Sequence, residues 1–220
     1  VRMQSAIAYA LDEIERTEER SVDIESVPLD DADTFKLIQS TRTIGLFQIE
    51  SPGQRELVGK LQPDCFEDLI IDISLFRPGP VKSDMITPFL NARHGFKAPQ
   101  LIHPDLHGVL AQTQGVVVFH EQVIQIISIM AGISYAEADE KRRALGDFKA
   151  QQEICDWFYS AAAKYPREVI DEVWAVLRAF ASFGFCKAHA AAFALPTYQS
   201  AWLKTHHPAA FIAGLLTHDP

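Results

Sequence analysis

A mainly α-helical, multi-helix fold with one or two short β-strands is what this sequence predicts, and three observations carry the prediction. Apolar residues recur at three- and four-residue spacing through most of the chain, the period of one helical face. Several such runs open on an N-cap residue with glutamate or glutamine three positions later, the arrangement that satisfies the first free N–H groups of a helix. Only residues 43–50 (TIGLFQIE) and 115–119 (GVVVF) have a strand-like, β-branched look.

Met3, Ile7, Ala10 and Ile14 stripe a first helix reaching about Arg20, with no cap before it. An acidic connector leads to a short helix over residues 31–39. Its Asp31-Ala32-Asp33 is a D-x-D pattern, but Pro28 precedes it and Phe35, Leu37 and Ile38 follow. N-capping and service to the helix dipole explain the aspartates better than a metal does. The expected strand at 43–50 gives way to Ser51-Pro52-Gly53-Gln54, an N-cap serine with proline at the first helical position, and a helix to Leu61. Asp64-Cys65-Phe66-Glu67 repeats the capping pattern for a helix through Leu75. Arg77-Pro78-Gly79-Pro80 is a stiff turn, because the prolines fix φ and restrict the preceding residues.

A helix carrying Met85, Phe89 and Leu90 ends at Gly95, and residues 97–107 read as a loop. After the second expected strand come an apolar helix over 121–131 and a helix from the Ser134-Tyr135-Ala136-Glu137 box to Gly146. Two longer helices follow at 151–164, striped by Ile154, Trp157, Phe158 and Ala161, and 167–181, striped by Val169, Val173, Val176, Leu177 and Phe180. The last pair covers 187–205 and 208–217. Pro196 falls inside the former, where it should cost about 3 kcal/mol or bend the helix. No fixed-period repeat or low-complexity segment interrupts this series.

Bulk properties narrow the function. The 220 residues are 48% hydrophobic and 22% charged, and the net charge of −9 argues against a module that coats DNA with its whole surface. Any nucleic-acid role must rest on a few placed cations. No apolar run approaches the roughly 20 residues of a membrane span, and no basic–apolar leader opens the chain. Cys65, Cys155 and Cys186 are far apart, which suits reduced thiols and a cytoplasmic setting. The uncapped first helix and the tailless end read as an excised piece of a longer protein.

The most informative stretch is residues 181–204. Phe183, Phe185, Lys187 and His189 fall within seven residues at the start of a helix. Rings stack on bases, and cations at a helix start meet phosphate oxygens; a phenylalanine-rich core helix is the plainer alternative. Lys141, Arg142 and Arg143 form three consecutive cations in an acidic chain. Guanidinium forks suit phosphate, although arginines in a last turn also complement the helix end. Arg77 sits on a turn that fixes its direction. Gln48 and Glu50, like Glu121 and Gln122, fit polar strand ends or helix caps. His103 and His107 are four apart with Pro104 between them and no third ligand near, so no metal is expected. No glycine-rich phosphate loop or H-E-x-x-H occurs. Nor does a pair of strand-end aspartates suited to two magnesium ions.

The succession GLFQIES, LQPDCFEDLI, RPGP, VVVFHEQV, EADEKRRALG, FGFCKAHAAAFA and TYQSAWLKTHHPAAF resembles, in order and spacing, the bacterial C-family DNA polymerases. These comprise DNA polymerase III alpha subunits and their error-prone, damage-tolerant second copies. The likeness covers residues 28–220, and its ending is closer to the error-prone branch. It implies that residues 1–40 are the end of the palm and connector helices, and residues 41–220 a fingers domain. By this likeness Arg142 and Arg143 meet the triphosphate of the incoming dNTP, Phe183 and His189 lie near the nascent base pair, and Lys187 is a phosphate contact. Arg77, Gln48 and Gln122 are candidate supports. Phe183 stands where many relatives carry tyrosine, His120 where the replicative block has glutamine, and Gly146-Asp147-Phe148-Lys149 where a lysine-rich run is common. The family's three catalytic aspartates would precede Val1, so Mg2+ would be held outside this chain, which alone should be inactive.

The expected partners are dNTP, primer-template DNA and other replication or repair proteins, with no membrane. The rival expectation is a non-catalytic helical interaction module of a replication protein. A degenerate polymerase copy kept for structure is the third.

Overall fold

The computed structural model describes residues 2–76, 85–147, 149–180 and 185–218. Among these there are twelve α-helices and no strand. The chain forms two compact units, residues 1–76 with 188–220 and residues 77–187. Neither boundary falls at the 40/41 division that the sequence suggests.

In the first unit, α1 (Arg2–Glu18) buries Ala6, Ile7, Ala10 and Ile14 against α12 (Pro208–His218). Gly214 of α12 makes this approach close: a Cβ there would lie 2.4 Å from the Ala6 carbonyl oxygen. Helix α2 (Ala32–Gln39) is capped by Asp31, which accepts from the Thr34 N–H at 2.8 Å. The D-x-D is therefore a helix start, as its sequence context implies. Helix α3 (Pro52–Leu61) is capped by Ser51. Helix α4 (Phe66–Leu75) is buried from Asp68 onward, and its start departs from the expected cap. Cys65 provides no side-chain cap; Asp68 instead accepts from the Asp64 N–H at 3.0 Å.

Residues 43–50 do not form the predicted strand. Gly45 and Gln48 take left-handed conformations (φ +81° and +64°), which interrupt extended backbone. The segment folds into turns closed by Thr43 donating to the Ile49 carbonyl at 2.6 Å, with Leu46 and Ile49 buried. The apolar residues behind the strand-like look divide between the buried Leu46 and Ile49 and the exposed Ile44.

The second unit comprises α5 (Ile86–Arg93), α6 (His107–Leu110), α7 (His120–Ala131), α8 (Tyr135–Ala144), α9 (Gln151–Ala161) and α10 (Arg167–Phe180). Val123, Ile126, Met130, Phe158, Val173 and Leu177 lie in its core. The expected strand at 115–119 is reduced to one isolated parallel bridge between Phe119 and Phe185. The end of the expected 97–107 loop and the residues after it wind into short helical turns, Pro104–Leu106, α6 and Ala111–Thr113. His103 caps the first of them, its Nδ1 accepting from the Asp105 N–H. Helix α11 (Lys187–His206) runs through Pro196.

Candidate functional site

Helix α8 opens on the capping box legible in the sequence: Ser134 accepts from the Glu137 N–H, and Glu137 accepts from the Ser134 N–H at 2.9 Å. That start fixes the rotation of a ten-residue helix, and so the direction of the cations at its end. Lys141, Arg142 and Arg143 do not form a single positive patch. The Lys141 ammonium lies 4.6 Å from the centre of the Trp157 ring. Arg142 Nε donates to Asp139 Oδ1 at 2.9 Å, and Arg143 pairs with the other oxygen of the same carboxylate. The two guanidiniums hold the Asp139 carboxyl below the usual carboxylate range, Arg142 foremost. They differ in access: the Arg142 side chain is 20% exposed and that of Arg143 71%. Each guanidinium carries more donors than one carboxylate contact uses.

Helix α7 begins beside these groups. Gln122, named from the sequence as a candidate support, is 2% exposed. Its amide oxygen accepts from the Val118 and Phe119 N–H groups, while its nitrogen donates to the Val109 carbonyl and Thr113 Oγ1. That set leaves Gln122 holding the backbone before α7. His120 is half-buried. Desolvation lowers its pKa, followed by the charge of Arg142; Glu121 and Asp139 act in the opposite sense. An imidazole in this setting is neutral at physiological pH.

Glu121, which the sequence offered only as a strand end or cap, joins α7 to the start of α11. Its two carboxylate oxygens accept from the Lys187 backbone N–H at 3.0 and 3.1 Å, and one accepts from the Cys186 thiol at 3.2 Å. The His120 N–H donates to the Phe185 carbonyl at 2.9 Å. The carboxylate thereby satisfies a helix-start N–H and faces the positive end of the α11 dipole. Lys187 extends along this surface. Its ammonium donates to Gln112 Oε1 at 3.1 Å and lies 5.6 Å from the centre of the Phe119 ring. In the second unit, Arg142 and Lys187 thus both border the His120–Glu121 start of α7.

The remaining candidates fall elsewhere. His189 and Gln48 belong to the first unit. The His189 imidazole is exposed and meets Phe193 edge-on with ring centres 4.4 Å apart. Gln48 occupies the left-handed position of the 43–50 turn. Phe183 and Arg77 lie outside the described residues. Two cavities accompany these features, of about 480 Å3 in the first unit and 420 Å3 in the second. Arg142, Arg143 and Lys187 line neither. Among the described residues, Asp64, Cys65 and Asp68 bring candidate metal-ligand atoms within 4.8 Å of one another. The Asp68 contact to the Asp64 N–H accounts for that grouping as the start of α4.

Residues 3–164 match the family described as the bacterial DNA polymerase III alpha subunit finger domain. The chain is 39% identical over its full length to the DNA polymerase III subunit alpha of Pseudomonas aeruginosa, covering 20% of that protein. It is 41% identical, over 90% of its length, to the error-prone DNA polymerase of Symbiobacterium thermophilum, covering 19% of it. The DNA polymerase III subunit alpha of Vibrio cholerae is also 41% identical over 90% of the chain. The chain spans about a fifth of the length of these curated relatives. Similar identities to both kinds of polymerase leave the two branches unseparated.

Proposed function

From the premise that the chain belongs to the bacterial DNA polymerase III alpha subunit finger domain family, we propose that it grips the incoming dNTP for a DNA-directed DNA polymerase. Arg142, Arg143 and Lys187 take the triphosphate, and Phe183 and His189 the nascent base pair. In this reading residues 1–40 complete the palm and residues 41–220 serve as fingers. The observation that carries it is local: in a chain of net charge −9, Arg142 and Lys187 border one helix start within the second unit. Phosphoryl transfer is largely positioning and charge neutralisation, which is work these groups can do. Asp139 holds the two guanidiniums in place, and Arg143 is the more exposed of the two. The two Mg2+ ions would be bound by carboxylates outside this sequence. Primer-template DNA is the second partner, the parent works in the cytoplasm, and its synthesis belongs to repair or damage tolerance.

Replacing both arginines, R142A with R143A, in the parent polymerase is expected to raise the KM for all four dNTPs by about a hundredfold or more. Two charge-assisted phosphate contacts would be lost, each worth about 1.5–3 kcal/mol. An unchanged KM would return the pair to helix-end service. The 220-residue chain alone, given Mg2+ and dNTPs, is expected to extend no primer. The pairing of both arginines with Asp139 supports a second reading, a non-catalytic docking module. That reading predicts a normal dNTP KM in the double variant.

A further inference from the structure

We infer that Glu121 is a positioning residue that sets the start of α11, and through it the direction in which Lys187 presents its ammonium. The inference rests on the proposed dNTP contact of Lys187 and adds a residue to it. Three contacts converge on the carboxylate: both oxygens accept from the Lys187 N–H, and Oε1 also accepts from the Cys186 thiol. Beside it the His120 N–H is bonded to the Phe185 carbonyl, within the one bridge joining Phe119 and Phe185. The first residue of α11 is therefore tied by side chain and by backbone to the first turn of α7.

Charge suits the carboxylate to this task. A helix start leaves N–H groups without intrahelical partners and carries partial positive charge, so an anion is stabilised there. Glu121 lies in the first turn of α7 and also faces the start of α11. One carboxylate thus serves two helix N-termini. Lys187 is the residue whose backbone it holds, and the Lys187 side chain reaches Gln112 across the same surface. Without Glu121, the N–H of Lys187 loses this charged acceptor and the first turn of α11 is held less firmly. The Lys187 ammonium would then be presented from a moving base, because hydrogen bonds to a charged acceptor at a helix end are what fix its geometry.

The test is a double-mutant cycle in the parent polymerase with two readouts: dNTP KM, and hydrogen exchange over the first turn of α11 without nucleotide. E121A should raise the KM about tenfold, the scale of one charge-assisted hydrogen bond, and should speed exchange at residues 187–190. E121Q keeps an acceptor oxygen and should remain within about threefold of wild type. In a K187M background, E121A should change the KM by less than about twofold, because both substitutions disable one contact. Equal effects of E121A in the two backgrounds, or unchanged exchange, would overturn the positioning role. A K187M polymerase with normal KM would instead overturn the nucleotide reading of Lys187 on which it rests. E121Q and the exchange measurement keep the outcome readable where E121A lowers folding yield.

Discussion

Lys204 in the first unit and Lys187 in the second are both lysines of α11, and they are used differently. Lys204 is half-buried and donates to two backbone carbonyls, those of Arg42 and Ile44, at 2.8 and 2.6 Å. Burial lowers its pKa, and the charges of Arg42 and Arg55 add to the effect. Lys187 holds a side-chain amide and covers a ring face. Around Lys204, polar groups of α11 bind distant backbone of the same unit. Ser200 accepts from the Phe47 N–H, and the Tyr198 hydroxyl donates to the Pro28 carbonyl and accepts from the Asp31 N–H. The Lys187 ammonium instead meets the side-chain amide of Gln112. A backbone carbonyl that loses its ammonium cannot move away, whereas a glutamine amide can turn to water. The first arrangement builds a fold; the second can exchange a partner for a ligand.

The contrast is tested most strongly at Tyr198, which is fully buried. Its hydroxyl donates to the Pro28 carbonyl at 2.6 Å and accepts from the Asp31 N–H at 3.0 Å. Y198F leaves two backbone groups without that partner and should lower stability by about 2–4 kcal/mol in urea melts. Tyr159 of the second unit donates to the Asp171 carboxylate on the surface, and Y159F should change stability by less than about 0.5 kcal/mol. Equal losses would erase the distinction. A smaller effect is expected at the lysines. K204M should destabilise by about 1–2 kcal/mol, because the Arg42 and Ile44 carbonyls remain behind. K187M should leave the melt within about 0.5 kcal/mol while raising the dNTP KM of the parent. A large loss of stability in K187M would make Lys187 a second structural lysine.

Helices were legible where local chemistry decides them. The Ser134–Glu137 box, the Asp31 cap and the stripe of Val173, Leu177 and Phe180 all act within one or two turns, and the structure places them as the spacing implies. The two strand assignments failed because apolar, β-branched content records burial and not pairing: Leu46 and Ile49 face inward from a turn, and Val117, Val118 and Phe119 are buried in succession ahead of α7. The site was less legible. The run of cations at 141–143 was visible in the sequence, but their division between Trp157 and Asp139 depends on neighbours one turn away and on a separate helix. Glu121 was the clearest omission. Its partner Lys187 lies 66 residues onward, and a carboxylate in a helix's first turn ordinarily serves that helix alone. The glutamate of the HEQV block beside the lysine of the CKAH block was the only sequence signal for it.

Two carboxylates extend the comparison to the effect of pH. Asp139 of the second unit is stabilised as an anion by two guanidiniums. Asp72 of α4, in the first unit, is fully buried, and neither of its oxygens has a hydrogen-bond partner among the described residues. Burial, and after it the charge of Asp68, raise its pKa well above the ordinary carboxylate value. Below the unfolded-state value Asp72 is protonated in both states, and its contribution is fully present. Above that value the unfolded chain releases the proton while the folded chain retains it, so stability declines as pH rises toward the folded-state value. D72N cannot titrate. Its stability relative to wild type should therefore grow by about 1.4 kcal/mol for each pH unit within that window. Urea melts of both proteins at two pH values just above the ordinary carboxylate range measure the slope directly. Parallel pH profiles would mean that Asp72 ionises in the folded protein as readily as in the unfolded chain, and the distinction between the paired and the solitary carboxylate would fall with that result.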